Sequence, residues 1–314
     1  MSNKKRFEFD YDLSNLSVWV KEEAQDMLIK DVLGTTLPRY SSIRGNIRGD
    51  EKVGFMTNDL VFQDGKSCGF NSTGDTIVDQ VLIQTCTEKI NMELCPYTLY
   101  DYYLSQALSQ SNFQESVPFE EALVSDISNR MANHMETKLW QSTTGGTPCD
   151  FPGVLSLITT GNGATSLTYS AVTSSNGVDY LAEIAAAIPS NVSHRNDLAI
   201  FVSYSDYKNF VQALRKSSQL NLYSFDDGGV QTGAEWTAFV PGTNIAVIPT
   251  QGLDGQSKIV AGPTSYYQVG LNTIDNNGME IRAFYDEGVD TIKVIGRMTY
   301  GIGIFDIASF VIAE

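Results

Sequence analysis

Between Pro118 and Gln141 the residue pattern selects one long helix, and the rest of the chain must be arranged around it. Pro118 suits a first helical position, where no backbone N–H is needed, and Glu120 and Glu121 complement the positive end of the helix dipole. Thr143-Thr144-Gly145-Gly146 ends the run. At 1.5 Å per residue such a helix is about 35 Å long. Its apolar residues Phe119, Leu123, Ile127, Met131, Met135 and Leu139 recur every four positions. One turn takes 3.6 residues, so each step moves the stripe about 40° around the axis. The stripe therefore spirals, and the helix meets different neighbours along its length, as a spine does.

Ahead of the spine, residues Ile43 to Leu94 are punctuated by Gly45, Gly49, Gly54, Gly65, Gly69 and Gly74, with short β-type runs between them. Ile90, Met92 and Leu94 alternate with Lys89, Asn91 and Glu93, the period of a half-buried strand. The pattern predicts two long strands closed by a tip near Asp64-Gly65-Lys66. Such a hairpin has too little apolar surface to stand alone and must lie on its own domain or on a neighbouring subunit.

Leu13 to Val32 reads as a helix stopped by Gly34, and Pro38-Arg39-Tyr40 with two serines as an irregular exit. Tyr97 to Leu108 reads as a short aromatic helix. Asp179 to Ile188 is a helix capped by Asp179 and stopped by Pro189. Leu198 to Ser203 is a buried-strand run, followed by a helix capped by Ser205 with Tyr207, Phe210, Val211 and Leu214 on one face. Strand followed directly by helix points to an α/β segment, with Asp226-Asp227-Gly228-Gly229 as an exposed loop beyond it. The C-terminal part reads as β: Ile245–Ile248, Lys258–Val260, a hairpin signal at Asn277-Gly278, alternating Met279, Ile281, Ala283 and Tyr285, then Val289–Met298 and Ile302–Ile312. The fold class is α+β.

The chain has 314 residues, 42% of them hydrophobic and 18% charged, so it can build a sizeable core. Its formal net charge of −16 excludes a protein whose main task is gripping phosphates. It does not exclude standing next to nucleic acid, since an acidic wall would not stick to it. Met1 to Tyr11 has a basic cluster with no apolar run behind it, so no secretory signal is expected, and no stretch is long and apolar enough to cross a bilayer. Cys68, Cys86, Cys95 and Cys149 lack C-x-x-C spacing and read as thiols in a reducing cytoplasm.

Chemistry is sparse. The two histidines, His134 in the spine and His194 beside Arg195, fit no nucleophile or zinc motif, and no G-x-S-x-G occurs. Gly301-Ile302-Gly303 lacks the third glycine and the following helix of a dinucleotide loop. Asp306 sits among Ile304, Phe305, Ile307 and Phe310 and is expected to face solvent or a donor across its strand. Glu22-Glu23, Glu120-Glu121 and Asp226-Asp227 read as solvated faces, helix starts or loops. No catalytic, cofactor-binding or metal-binding residue is assigned, and no cofactor or enzyme activity is expected.

The order of parts carries more information than any motif. An N-terminal arm leads into a Gly-rich hairpin and an acid-led spine helix. A Gly-rich break with Phe151-Pro152-Gly153-Val154-Leu155, an α/β segment and a closing sheet follow. Over essentially the whole chain this order resembles the Hong Kong 97-type major capsid proteins of tailed double-stranded DNA bacteriophages. DFPGVLSLI behind the spine and the final GVDTIKVIGRMTYGIGIFDIASFVIAE are similar to the corresponding parts of that family.

The resemblance implies residues 1–42 as an N-terminal arm and 43–96 as an extended loop reaching over a neighbour. It implies 97–171 with 266–314 as a peripheral domain containing the spine helix 118–141, and 172–265 as an axial domain. It implies a structural protein of the virion, made in the bacterial host cytoplasm. Such a protein self-assembles into pentamers and hexamers that close into an icosahedral capsid, enclosing DNA without sequence-specific binding and with no membrane. Scaffold, portal and decoration proteins are the implied partners. The spine begins too early to leave room for a large scaffolding segment, so a separate scaffold, or a cleavage before Met1, is expected. Some members crosslink a loop lysine to an asparagine; Lys66 sits at the expected tip, but no partner asparagine is evident. The alternatives are an encapsulin-type nanocompartment shell or another phage structural protein such as a tail component.

Overall fold

A computed structural model describes residues 24–66, 69–70, 72–95, 119–146, 150–217, 238–272, 279–286, 288–289 and 291–314. The expected helix at Tyr97–Leu108 and the loop Asp226–Gly229 lie outside the described residues, as does most of the N-terminal arm. The helices are α1 (Ala24–Gly34), α2 (Thr36–Tyr40), α3 (Phe119–Gln141), α4 (Val154–Leu157), α5 (Gly177–Ala186) and α6 (Tyr204–Lys216). The strands are β1 (Ser42–Arg44), β2 (Glu51–Leu60), β3 (Gly74–Leu94), β4 (Thr165–Leu167), β5 (Leu198–Val202), β6 (Ala238–Phe239), β7 (Ala246–Pro249), β8 (Ile259–Pro263), β9 (Tyr267–Leu271), β10 (Met279–Asp286), β11 (Thr291–Ile304) and β12 (Val311–Ala313). One sheet has the order β1-β9-β11-β3-β2, with β10 also on β11; the other is β4-β12-β8-β5-β7-β6.

The chain forms two compact units. The first comprises Met1–Gly34, Thr87–His134 and Asn272–Thr299. Its core is Leu28 and Val32 of α1, Val124, Ile127 and Met131 of α3, Met279, Ile281 and Ala283 of β10, and Ile292, Val294 and Met298 of β11, all buried. The alternation expected for β10 is there because β10 pairs antiparallel with β11, with Met279 opposite Met298 and Asp286 opposite Thr291. A side chain at Gly296 would press on the Met131 sulfur, so spine and sheet approach closely at that point.

The second unit comprises Thr35–Cys86, Met135–Leu271 and Tyr300–Glu314. Every residue of β5, LAIFV, is buried, because its sheet is covered on both faces. One face carries Leu198, Ile200, Val202, Val247, Ile259, Ala261, Val311 and Ala313 against Leu181 and Ile184 of α5 and Phe210 and Leu214 of α6. The other carries an aromatic cluster: Phe201 lies 5.2 Å from Trp140 and 5.6 Å from Tyr267, and Tyr267 lies 5.1 Å from Phe310, measured between ring centres. The hydroxyl of Tyr267 is fully buried and finds no hydrogen-bond partner among the described residues. Tyr267→Phe removes an unmet polar group and is expected to stabilise the protein by about 1 kcal/mol, read from urea unfolding.

The spine runs through both units. Ile127, Met131, Met135 and Leu139 are buried, and so is the adjoining row Val124, Ser128, Ala132, Glu136 and Trp140. Both rows advance by four residues, so the buried face rotates along the helix as expected. Its first half packs within the first unit and its second half within the second.

Several local expectations are corrected. Pro38–Tyr40 is not irregular but lies in α2, which leads into β1. The helix expected to begin at Asp179 begins at Gly177, with Asn176 at the cap position and Asp179 in the first turn. Ser203, not Ser205, caps α6, accepting the Asp206 N–H at 3.1 Å. Asn277-Gly278 lies outside the described residues; the strands on either side, β9 and β10, pair with β11 and not with each other. The final run joins two sheets, since β12 pairs with β4 and β8. Cys86 is disulfide-bonded, its partner lying outside the described residues, against the expectation of four thiols. Cysteine spacing reports local motifs only; it carries no record of which distant thiols the fold joins.

Candidate assembly surface

The expected hairpin is β2 and β3. They pair antiparallel from Glu51 opposite Ile83 to Leu60 opposite Gly74, and Asp64 holds the turn by accepting the Lys66 N–H at 3.0 Å. At its base Val53 and Ile83 are buried against Ile47 and Phe305, and Phe55 stacks 5.1 Å from Phe305. Beyond Phe55 no described residue supports it. Side chains alternate across a strand, so the register sorts the outer hairpin into two faces. One carries Met56, Leu60, Val78 and Leu82, respectively 63%, 73%, 68% and 43% exposed. The other carries Asp59, Asp75 and Asp79 around Ile77. Phe62 and Phe70 near the tip are almost completely exposed. Apolar surface on this scale, on a hairpin that lacks a core of its own, marks an interaction surface.

The hairpin grows from a strand held tightly at its base. A side chain on Gly301 of β11 would fall 2.0 Å from the Gln84 carbonyl oxygen of β3. The Gly301-Ile302-Gly303 pattern is thus a close strand crossing and not a nucleotide loop. Gly301→Ala is expected to cost about 1–3 kcal/mol by overpacking, read as a lowered melting temperature.

The spine carries a carboxylate hub at Glu136, which at 2% exposure is the most deeply buried carboxylate among the described residues. Its two oxygens accept the Leu37 N–H at 3.2 and 3.0 Å, and one also accepts the Trp140 indole N–H at 3.0 Å and the Thr250 hydroxyl at 2.7 Å. Glu136 thereby serves the first turn of α2, whose cap residue Thr35 makes no side-chain cap bond to the helix. Burial pushes its carboxyl above the usual glutamate range, against the hydrogen bonds from Thr250, Leu37 and Trp140, which favour the ionised form. Gly252, directly after Thr250 and Gln251, lies so close to the Trp140 ring that no side chain would fit there. Sequence reading missed this hub. Its only local signal is the i, i+4 pair Glu136–Trp140 on a largely apolar helix face.

The residues weighed for chemistry are dispersed. His134 Nε2 lies 2.9 Å from Glu88 Oε2, tying α3 to β3 within the first unit, while His194 is exposed in a turn. Asp306 lies in a left-handed turn, not on a strand, and its carboxylate takes the Ser309 hydroxyl. Arg195 grips Asp197 through two nitrogens at 2.8 Å and packs 4.9 Å from the Tyr266 ring centre; Arg195 and the Ser265 hydroxyl hold the Asp197 carboxyl down at about 2. Among the described residues no group of three or more His, Cys, Asp or Glu is placed to hold a metal ion. No described helix is long and apolar enough to cross a membrane.

No protein-family model and no curated protein sequence matches the chain. Solved structures do. The virus-like particle from Pyrococcus furiosus is similar at 12% identity and a TM-score of 0.53, over 93% of this chain and 98% of that one. The satellite phage P4 procapsid, including its size determination protein, is similar at 9% identity and a TM-score of 0.57, over 92% and 98%. The holo-SrpI encapsulin complex from Synechococcus elongatus PCC 7942 is similar at 12% identity and a TM-score of 0.51, over 88% and 86%. Full-length similarity at such low identity is a likeness of architecture: the hairpin, the spine and the two sheets together make this the Hong Kong 97-type capsid fold.

Proposed function

We propose that this chain is the major capsid protein of a tailed bacteriophage. It assembles into pentamers and hexamers that close into an icosahedral shell around double-stranded DNA. The observation that carries the reading is the outer hairpin, whose apolar face rests on nothing among the described residues, within a fold shared with capsids. Overlapping arms bury between subunits what each subunit leaves exposed, so assembly becomes part of stability. Head-to-tail contacts that close into rings supply the symmetry. The division into arm, extended loop, peripheral and axial domains belongs to this proposal, as do synthesis in the host cytoplasm and the scaffold, portal and decoration partners. A structural role without catalytic, cofactor or metal residues belongs to it too. The acidic net charge fits a wall that does not adhere to DNA.

Negative-stain electron microscopy of the chain, expressed alone and with its genomic neighbours, tests the reading. Closed shells, or rings of five and six, are expected; monomer under every condition would overturn it. A second reading, an encapsulin-type compartment, is favoured by the likeness to the SrpI complex. Purified shells holding a protein cargo in place of DNA would establish it.

A further inference from the structure

Cys86 is half-buried on β3 and disulfide-bonded, and three cysteines are candidates for the second sulfur. Cys95 is exposed and keeps its thiol. That leaves Cys68 and Cys149.

Chain length removes Cys68. The hairpin register puts Leu60 opposite Gly74, so Cys68 belongs to the stretch that closes the far end. β3 runs extended from Gly74 past Cys86, and that part of the strand spans about 40 Å. The residues from Gly74 back to Cys68 reach at most about 22 Å. A disulfide needs its two Cα atoms within about 7 Å, so the shortfall is on the order of 10 Å.

The surroundings of Cys86 point to Cys149. Side chains alternate along a strand, and Glu88, two residues on, turns to His134 of the spine at 2.9 Å. Cys86 therefore faces the same way as Glu88, toward the side of the sheet on which the spine lies. Its level along β11 follows from its neighbours: the Thr87 hydroxyl lies 2.8 Å from that of Thr299, and Gly301 abuts Gln84 and Thr85. Cys86 is thus level with Tyr300. Phe151 packs edge-on against the Tyr300 ring, 5.6 Å between centres. Just beyond it the chain is tied back to the end of the spine, the Gly153 N–H donating to the Ser142 carbonyl at 2.8 Å. Cys149 itself lies outside the described residues, while Gly146, Asp150 and Phe151 on either side lie within them. It precedes Phe151 by two residues, at most about 7 Å of backbone.

We propose that Cys86 and Cys149 form an intrachain disulfide that acts as a redox-dependent staple, fastening the base of the long hairpin strand to the segment behind the spine. The two residues are 63 positions apart, so the bond closes a long loop and restricts the unfolded chain strongly. In reducing surroundings both remain thiols. A small-molecule disulfide such as oxidised glutathione closes the staple. One cysteine thiolate attacks it and expels one small thiol; the second cysteine thiolate attacks the mixed disulfide and expels the other. Two protein thiols and one small disulfide become one protein disulfide and two small thiols. The inference stands whether or not the chain builds a shell.

Peptide mapping of the purified full-length chain tests it, after incubation with oxidised glutathione and alkylation of the remaining thiols. Trypsin together with a protease that cuts before aspartate separates Cys68 from Cys86 at Asp75 and Asp79. A reductant-sensitive pair of peptides carrying Cys86 and Cys149 is expected, with Cys68 and Cys95 alkylated. Cys86 joined to any other cysteine or to a second chain, or itself alkylated, would overturn the proposal.

Thermal melting reads the effect of the staple. The oxidised wild type is expected to melt roughly 5–15 °C above the reduced chain. Cys86→Ser and Cys149→Ser each lose that increment and match the reduced wild type, while Cys68→Ser keeps it. An increment that survives Cys149→Ser would sink the pairing, even if the Cys86 variant fails to fold.

Discussion

Particles should fail to form when Met56 and Val78 are both replaced by lysine, while the subunit stays folded. The two residues are direct partners across the hairpin and are 63% and 68% exposed. In the isolated subunit they touch no core, so their replacement changes its stability by no more than about 0.5 kcal/mol per site. In a shell the same face would be covered. Losing two buried apolar side chains removes roughly 3 kcal/mol from each contact, about a hundredfold in affinity. Desolvating two ammonium groups adds to the loss. The measurement is the threshold concentration for assembly by sedimentation, alongside thermal melting of the subunit. An unchanged threshold would mean that this face stays wet in the particle. A lowered melting temperature with no assembly defect would mean that it packs within its own subunit. The acidic face is a control: Asp75→Asn is expected to leave assembly intact, because those carboxylates need no desolvation.

Removing the Glu136 carboxylate should be the most damaging single change in the interior. Glu136→Ala leaves the Leu37 N–H, the Trp140 indole N–H and the Thr250 hydroxyl buried without their acceptor. Each stranded donor costs about 1–3 kcal/mol, so a total on the order of 3–9 kcal/mol is expected, a large share of a domain's stability. The pH dependence has a definite sign. Burial raises the native carboxyl above the value of a free glutamate, near 4.5. Between those two values the native state holds a proton that the unfolded chain has released. This group's contribution is therefore fully present below pH 4.5 and is lost as pH rises through the native value. Glu136→Gln removes that slope, and its amide also turns an N–H toward donors, so it is less stable than the wild type at neutral pH. Chemical denaturation across pH 4 to 8 distinguishes the two. A wild-type slope that survives in the Gln variant would place the titration on another group, with Asp206, also raised by burial, the first to examine.

The helix Phe119–Gln141 was legible because its acids and its four-residue repeat are local properties of the chain. The same holds for β5, whose unbroken apolar run marks a strand covered on both faces. The hairpin tip at Asp64-Gly65-Lys66 was also legible, because turn residues act over a few positions.

What the sequence determined by itself was the longer elements, their order and the resemblance that order carries; the short helix α2 was not among them. Periodicity and turn chemistry are fixed by neighbours within one or two turns of helix or a few residues of strand. The tertiary structure alone decided which strand lies beside which, and with that the fate of the polar groups. Glu136 looks like any helix glutamate until Leu37, 99 residues away, and Thr250, 114 residues away, are brought to it. Asn277-Gly278 has the composition of a hairpin turn, yet the strands before and after it, β9 and β10, both pair with β11. The apolar face of the outer hairpin is likewise invisible locally, because only the register of β2 on β3 puts Met56 opposite Val78 and gathers Leu60 and Leu82 on the same side.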